Sequence, residues 1–94
     1  MFARVTRIAG AEYSEDDVGP MTDNIISQAR QLEGIRGGYW LRSRESGDLF
    51  AITLWDSEEA MMATEQQAAS LREEAQQQAG GQVSVDHCEV VGSV

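Results

Sequence analysis

One stretch constrains the fold of this chain more than any other. Leu49-Phe50-Ala51-Ile52-Thr53-Leu54-Trp55 follows the tight-turn signal Glu45-Ser46-Gly47-Asp48. Its apolar, β-branched and aromatic residues read as a strand, and the turn makes it the second arm of a hairpin. At a period of two, Leu49, Ala51 and Trp55 point one way and Phe50, Ile52 and Leu54 the other. A strand with one wet face alternates apolar and polar residues. This one is apolar on both faces, so both faces need cover.

The elements around it supply cover for one face. The first arm of the hairpin runs from about Gly37 to Arg44, with Tyr39 and Leu41 opposite Trp40 and Arg42. An earlier strand spans Phe2 to Ile8, with Phe2, Arg4, Thr6 and Ile8 on one side and Ala3, Val5 and Arg7 on the other. Between these two strands, Val18, Met21, Ile25, Ala29 and Leu32 recur at helical spacing. That helix is expected to start near Asp17 or Pro20, with the proline in the first turn, and to end at Gly34. After the hairpin, Asp56-Ser57-Glu58-Glu59 resembles a capping box, an Asp with a Glu three positions on. It is expected to open one long helix from Ser57 to Ala79, with the stripe Met61, Thr64, Ala68, Leu71 and Ala75. Gly80-Gly81 ends it, and Gln82 to Val91 reads as the last strand.

Strand, helix, strand, strand, helix, strand is the ferredoxin-like βαββαβ order of the α+β class. Residues 1–94 are expected to form a single domain, with no internal linker or repeat. Right-handed crossovers put the first and third strands at the centre of a four-stranded antiparallel sheet, with both helices on one face. The other face then carries Phe50, Ile52 and Leu54 uncovered, a larger apolar patch than monomers usually tolerate. A second copy packed sheet to sheet removes the conflict, so the chain is expected to be a homodimer through that face.

Charge and composition exclude several functions. The formal net charge is −9, from sixteen acids and seven basic residues spread along the chain. That balance argues against nucleic acid and against an anionic membrane surface. No apolar run is long enough for a membrane span, and Met1-Phe2-Ala3-Arg4-Val5 lacks the pattern of a signal peptide, so the expected location is cytoplasmic. With one cysteine, Cys88, and one histidine, His87, neither a disulfide nor a cysteine-based metal cage is available. Gly37-Gly38 lacks the lysine and context of a phosphate loop, and no nucleophilic Ser-His-Asp motif occurs.

Three segments carry a resemblance to a known family. Gly34-Ile35-Arg36-Gly37-Gly38-Tyr39-Trp40-Leu41-Arg42, then Thr53-Leu54-Trp55-Asp56-Ser57-Glu58-Glu59-Ala60-Met61, and finally Cys88-Glu89-Val90-Val91 resemble the antibiotic biosynthesis monooxygenase (ABM) family of dimeric α/β barrels. The resemblance covers most of the chain in order, and the Trp-x-Ser-x-Glu-Ala motif is its most specific part. It implies a sheet-to-sheet dimer and, for some members, oxygenation of aromatic polyketides without a cofactor. Haem-degrading members carry an Asn, a Trp and a haem-ligating His where this chain has Thr6, Thr64 and Glu73, which speaks against haem. The polyketide oxygenases match at Trp55, while their helix-borne Tyr and Arg fall near Met61 and Ala75.

Candidate site residues follow from the face that meets the helices. Arg4 and Thr6 lie on a central strand, where an arginine either holds an anionic oxygen or pairs with a helix glutamate. Trp55, before the helix cap, either walls a pocket or anchors the strand–helix corner. Tyr39 is a further candidate for contact with a flat ligand. His87 is the one side chain whose ordinary pKa suits proton transfer near neutrality, and it shares a face with Glu89, which makes it the remote candidate base or a structural histidine. Cys88 reads as a buried, inert thiol. The alanine-rich second helix either packs closely on the sheet or leaves a cavity above it. Two functions therefore stand at this point: a cofactor-independent monooxygenase acting on a small aromatic or polyketide-type compound, or a non-catalytic dimeric binding or accessory protein.

Overall fold

Four strands zip into one sheet, and that sheet carries everything else. The computed structural model describes residues 1–94. It contains β1 (Phe2–Ala9), α1 (Glu15–Ala29), β2 (Ile35–Arg42), β3 (Leu49–Trp55), α2 (Glu58–Ala63), α3 (Glu65–Ala79) and β4 (Gln82–Glu89). The strands pair antiparallel in the order β2-β3-β1-β4, so β1 and β3 are central as the connections require. No helix is long and apolar enough to cross a membrane.

The register assigns each residue to a face. Arg4 pairs with Thr53 and with His87, and Thr6 pairs with Ala51 and with Val85. Trp40 pairs with Ala51 and Gly38 with Thr53. These residues, with Phe2, Ile8, Leu49 and Trp55, form the face under the helices. Trp55 and Met61 are the largest fully buried side chains, and each contributes about 2–3 kcal/mol by leaving water. The opposite face carries Val5, Tyr39, Leu41, Phe50, Ile52 and Leu54. Tyr39 is 63% and Leu41 46% exposed, so no part of the chain covers this face.

The helices differ from expectation in four places, the first being that α1 ends at Ala29 and not at Gly34, with turns leading on to β2. α1 starts earlier, after Ser14, and its first turn holds Glu15, Asp16 and Asp17 where acids favour the helix dipole. Pro20 therefore falls in the second turn and not the first. Gly19 before it brings no Cβ against the proline ring. The cap of the second helical segment is Ser57 and not Asp56: Ala60 N donates to Ser57 Oγ at 3.0 Å. Asp56 instead pairs with Arg36. The expected single helix over 57–79 is two helices, α2 and α3, broken at Thr64. The break meets Arg4 of β1, whose guanidinium reaches Met61 and Thr64.

At the far end of the sheet, Asp48 holds the hairpin to β1. Its carboxylate accepts from Arg7 Nε at 3.1 Å and from Gly10 N at 3.1 Å. These bonds, those from Arg7 first, hold its carboxyl below the usual range. Tyr13 Oη donates to Gly47 O at 2.7 Å and ties the start of α1 to the same turn.

The α3–β4 connection is the tightest backbone approach. Gly81 has φ of +84°, and a Cβ there would lie 2.5 Å from Ala9 O and 3.0 Å from Ala11 N. Both the conformation and the space demand glycine. Gly81→Ala is expected to destabilise the protein by roughly 2 kcal/mol, a fall of about 10 °C in Tm. Thermal denaturation followed by circular dichroism checks this, and an unchanged Tm would contradict the close approach.

Candidate functional site

A buried arginine on a central strand must find partners, and Arg4 finds them in the second helical segment. Arg4 is 3% exposed. Its Nη2 donates to the carbonyl of Met61, in the last turn of α2, and reaches Thr64 Oγ1 at 3.5 Å. The last carbonyls of a helix have no partner within it, so they accept readily from a cation. Thr64 sits between the helices with φ −101° and ψ 9°, and its hydroxyl also donates to Met61 O at 3.2 Å. The guanidinium thus occupies the break. It lies over Trp55, 5.0 Å from the ring centroid, a cation–π contact inside the protein. Trp55 Nε1 donates to Thr53 Oγ1 at 3.1 Å, so the indole is held from both sides.

Glu65, the first residue of α3, completes the cluster. Its Oε2 lies 2.9 Å from Arg4 Nε and 3.0 Å from His87 Nε2, and its Oε1 accepts from Arg72 Nη2 at 2.6 Å. The Arg4 contact lies off the N–H direction, so it is an ion pair without a hydrogen bond. Burial pushes the Glu65 carboxyl up, but the hydrogen bonds from Arg72 and His87, with the charges of Arg72 and Arg4, outweigh it and hold it below its ordinary value. Burial lowers the Arg4 guanidinium, Glu65 opposes that, and the charge of Arg72 adds to the lowering. One carboxylate therefore serves two guanidiniums and an imidazole.

Between α1, α3 and the sheet lies a partly open cavity of about 390 Å³. Fourteen of its twenty-two lining residues are hydrophobic. The volume and apolar character suit a small organic ligand. The cavity exists because small residues face one another: Thr6, Ala51 and Thr53 on the sheet, Ala68 and Ala75 on α3. α1 is clipped to α3 beside the cavity, where Glu74 accepts from Asn24 at 3.3 Å and from Gln28 at 3.4 Å. Val18, Met21 and Ile25 form the α1 wall, and Trp40 is the aromatic wall from β2.

The sequence candidates divide across this geometry. Arg4 and Thr6 line the cavity together. Trp55 is fully buried beside Arg4 and forms the anchor of the corner, outside the lining. Tyr39 lies on the opposite face of the sheet, and Trp40 holds the inward position. His87 bonds Glu65 across the interior edge and not Glu89 on its own strand. Cys88 is half-buried on the free face, next to Ala3. Glu65 and Arg72 belong to this cluster, and no sequence pattern singled them out. Their signal was faint: seven residues apart, they share one side of a helix, two turns from each other.

No protein-family model matches the chain. Two curated proteins from strains of Mycobacterium tuberculosis, both described as uncharacterized, are 28% identical to it over 91 residues, 96% of this chain. The chain spans 41% of the length of these relatives. Solved structures match over almost its whole length. SnoaB, a cofactor-independent oxygenase from Streptomyces nogalater, gives a TM-score of 0.77 at 11% identity, covering 99% of this chain and 95% of that one. A monooxygenase from the gene ActVA-Orf6 of Streptomyces coelicolor, in complex with nanaomycin D, gives 0.71 at 15% identity, covering 99% and 89%. A protein described as an antibiotic biosynthesis monooxygenase gives 0.71 at 14% identity, covering 98% and 100%. At these identities the likeness is one of fold: the chain has the ferredoxin-like βαββαβ fold of the ABM proteins.

The Glu65 cluster has a pH signature. A folded carboxyl held below its ordinary 4.5 favours the folded state at higher pH. That stabilisation is complete above the ordinary value and is lost as pH falls through the lower folded one. Glu65→Gln is expected to cost about 3 kcal/mol at pH 7, because Arg4 and Arg72 lose their shared counter-charge. The gap between variant and wild type should narrow as pH drops below 4.5. Urea denaturation at pH 7 and in the acid range measures both, and a pH-independent gap would remove the assignment.

Proposed function

We propose that this protein binds a small, flat, aromatic compound in the cavity between helices and sheet, and oxygenates it without a cofactor. The cavity carries this reading: about 390 Å³, mostly apolar, with arginine and threonine side chains in its lining. Trp40 offers a ring for stacking, and Arg4, Thr6, Thr53 and Arg72 offer donors. The fold is shared with proteins described as a cofactor-independent oxygenase and as a monooxygenase in complex with nanaomycin D, which supports the same class of ligand here.

In such a reaction the substrate supplies the electrons. A benzylic CH₂ flanked by phenolic or keto groups loses a proton, and the carbanion reduces O₂ and combines with it as a hydroperoxide. Loss of water then leaves the ketone, so one CH₂ and one O₂ become one C=O and one H₂O. The cavity excludes water, orients the substrate and holds the developing oxyanion against guanidinium. Asp23, an exposed member of the lining on α1, is the one carboxylate within that lining available as proton acceptor. The second reading is a binding protein without turnover. The position of His87 favours it, because the one imidazole is bonded to Glu65 and stands outside the cavity lining.

The uncovered face of the sheet belongs to the same proposal. Val5, Tyr39, Leu41, Phe50, Ile52 and Leu54 form one apolar surface, and a second copy packed on it would leave both cavities on the outside of the dimer.

Two experiments test these statements. Incubation with a dihydroxyanthracene-type compound should give O₂ uptake above the protein-free rate, and Ala75→Trp, which fills the cavity, should lower it at least roughly tenfold. Binding of the compound with uptake equal to the protein-free control would leave the binding reading, and absence of binding would remove both. Sedimentation equilibrium at micromolar concentration should give about twice the 10.3 kDa chain mass, and Ile52→Asp should shift it toward the single chain; a 10.3 kDa species for the unaltered protein defeats the dimer.

A further inference from the structure

The side chains around the cavity also indicate the charge of its ligand, an inference that rests on the cavity being a ligand site. All seven basic residues of the chain are arginines, set against sixteen acids. Three of the seven, Arg4, Arg42 and Arg72, line the cavity, whereas Asp23 is the one acid that does. In a chain with formal charge −9 the balance of charge is thus reversed at the cavity lining. Arg42 is satisfied by Glu15 at 2.5 Å, but Arg4 and Arg72 share the single carboxylate of Glu65. That cluster carries a surplus positive charge even with His87 neutral.

The surplus has a definite address. Arg72 spends Nη2 on Glu65, while its Nη1 is buried without any hydrogen-bond partner. A buried guanidinium N–H with no acceptor forfeits its hydration and gains nothing in return. Arg72 belongs to the cavity lining and its side chain is 16% exposed, so a small change in its side-chain torsions would bring that nitrogen to an acceptor in the cavity. A negatively charged oxygen is the acceptor that also offsets the surplus charge. Thr6 and Thr53, on the sheet side of the same cavity, add hydroxyl donors. Asp23 is exposed and on α1, so it does not neutralise the buried end.

We propose that the ligand is an organic anion: a flat apolar body with one acidic oxygen group, a carboxylate, sulfonate or ionised phenol, which accepts a hydrogen bond from Arg72 Nη1. The apolar walls take the rings, and the Arg4–Glu65–Arg72 cluster takes the charge.

A matched pair of fluorescent probes tests this on the full chain. 8-Anilino-1-naphthalenesulfonate and N-phenyl-1-naphthylamine share the same rings and differ in the sulfonate. The anion is expected to bind at least about tenfold more tightly than the neutral probe. Arg72→Gln should weaken the anion by about tenfold or more and the neutral probe less than about twofold, and Arg72→Lys should recover most of the loss. Ala75→Trp should abolish the binding of both probes, which locates them in the cavity. Equal affinities for the two probes on the unaltered chain overturn the anion assignment and leave the cavity reading intact, and this comparison needs no variant. Anion binding that survives Ala75→Trp overturns the assignment as well, because the probe then sits elsewhere. If neither probe binds, the cavity reading falls and the anion assignment falls with it.

Discussion

The pairing of Arg4 with Glu65 organises the helix side of this protein. An arginine on the middle strand of a sheet, beneath helices, is a costly residue to bury. Here the cost is offset at three points: the Met61 carbonyl, the Trp55 ring and the Glu65 carboxylate. Meeting the first and third requires that the second helical segment stop at Thr64 and restart at Glu65. The restart sets α3 on its course across the sheet. Along that course α3 presents Ala68 and Ala75 to Thr6, Ala51 and Thr53, and the space between them stays open. The charge pair, the broken helix and the cavity are therefore one arrangement.

The two faces of the sheet divide the work. The helix side holds the cation cluster and the cavity. The free side is largely apolar, with Arg7 laid over Phe50, and two of its members, Tyr39 and Leu41, are among the most exposed large hydrophobic residues in the chain. Residue parity on four strands enforces this division, since a one-residue slip of any strand would exchange the faces. The Arg7–Asp48 bonds at one end of the hairpin and the Trp55 corner at the other oppose such a slip. The fold itself is shared with oxygenases at 11–15% identity, a range in which backbone geometry persists while site residues change. Function on such a scaffold is decided by side chains in the cavity.

Much of the fold is legible in the order of residues along the chain. The Leu49–Trp55 strand, the turn leading into it and the two helical stripes set the element order, and handedness of the crossovers set the strand order. The candidate site is legible in part. Arg4 and Thr6 stand out because polar residues on a central strand are rare, and both line the cavity. Tyr39 and Trp40 show the limit: adjacent aromatics on one strand must face opposite ways, but their own sequence does not say which faces the helices. The pairing of Trp40 with Ala51 decides it. Glu65 and Arg72 are hidden in a helix with many acids and glutamines, where each looks like solvated surface.

Residue type and period thus dictate the order of elements, the apolar character of both sheet faces and the burial of an arginine that needs a partner. These properties act locally along the chain, so a linear sequence is enough to express them. Which partner Arg4 takes, where the second helix breaks, and whether a cavity remains between α3 and the sheet are settled only when the chain is packed. Those outcomes depend on distances between segments some sixty residues apart, such as Arg4 and Thr64, and no local pattern encodes them.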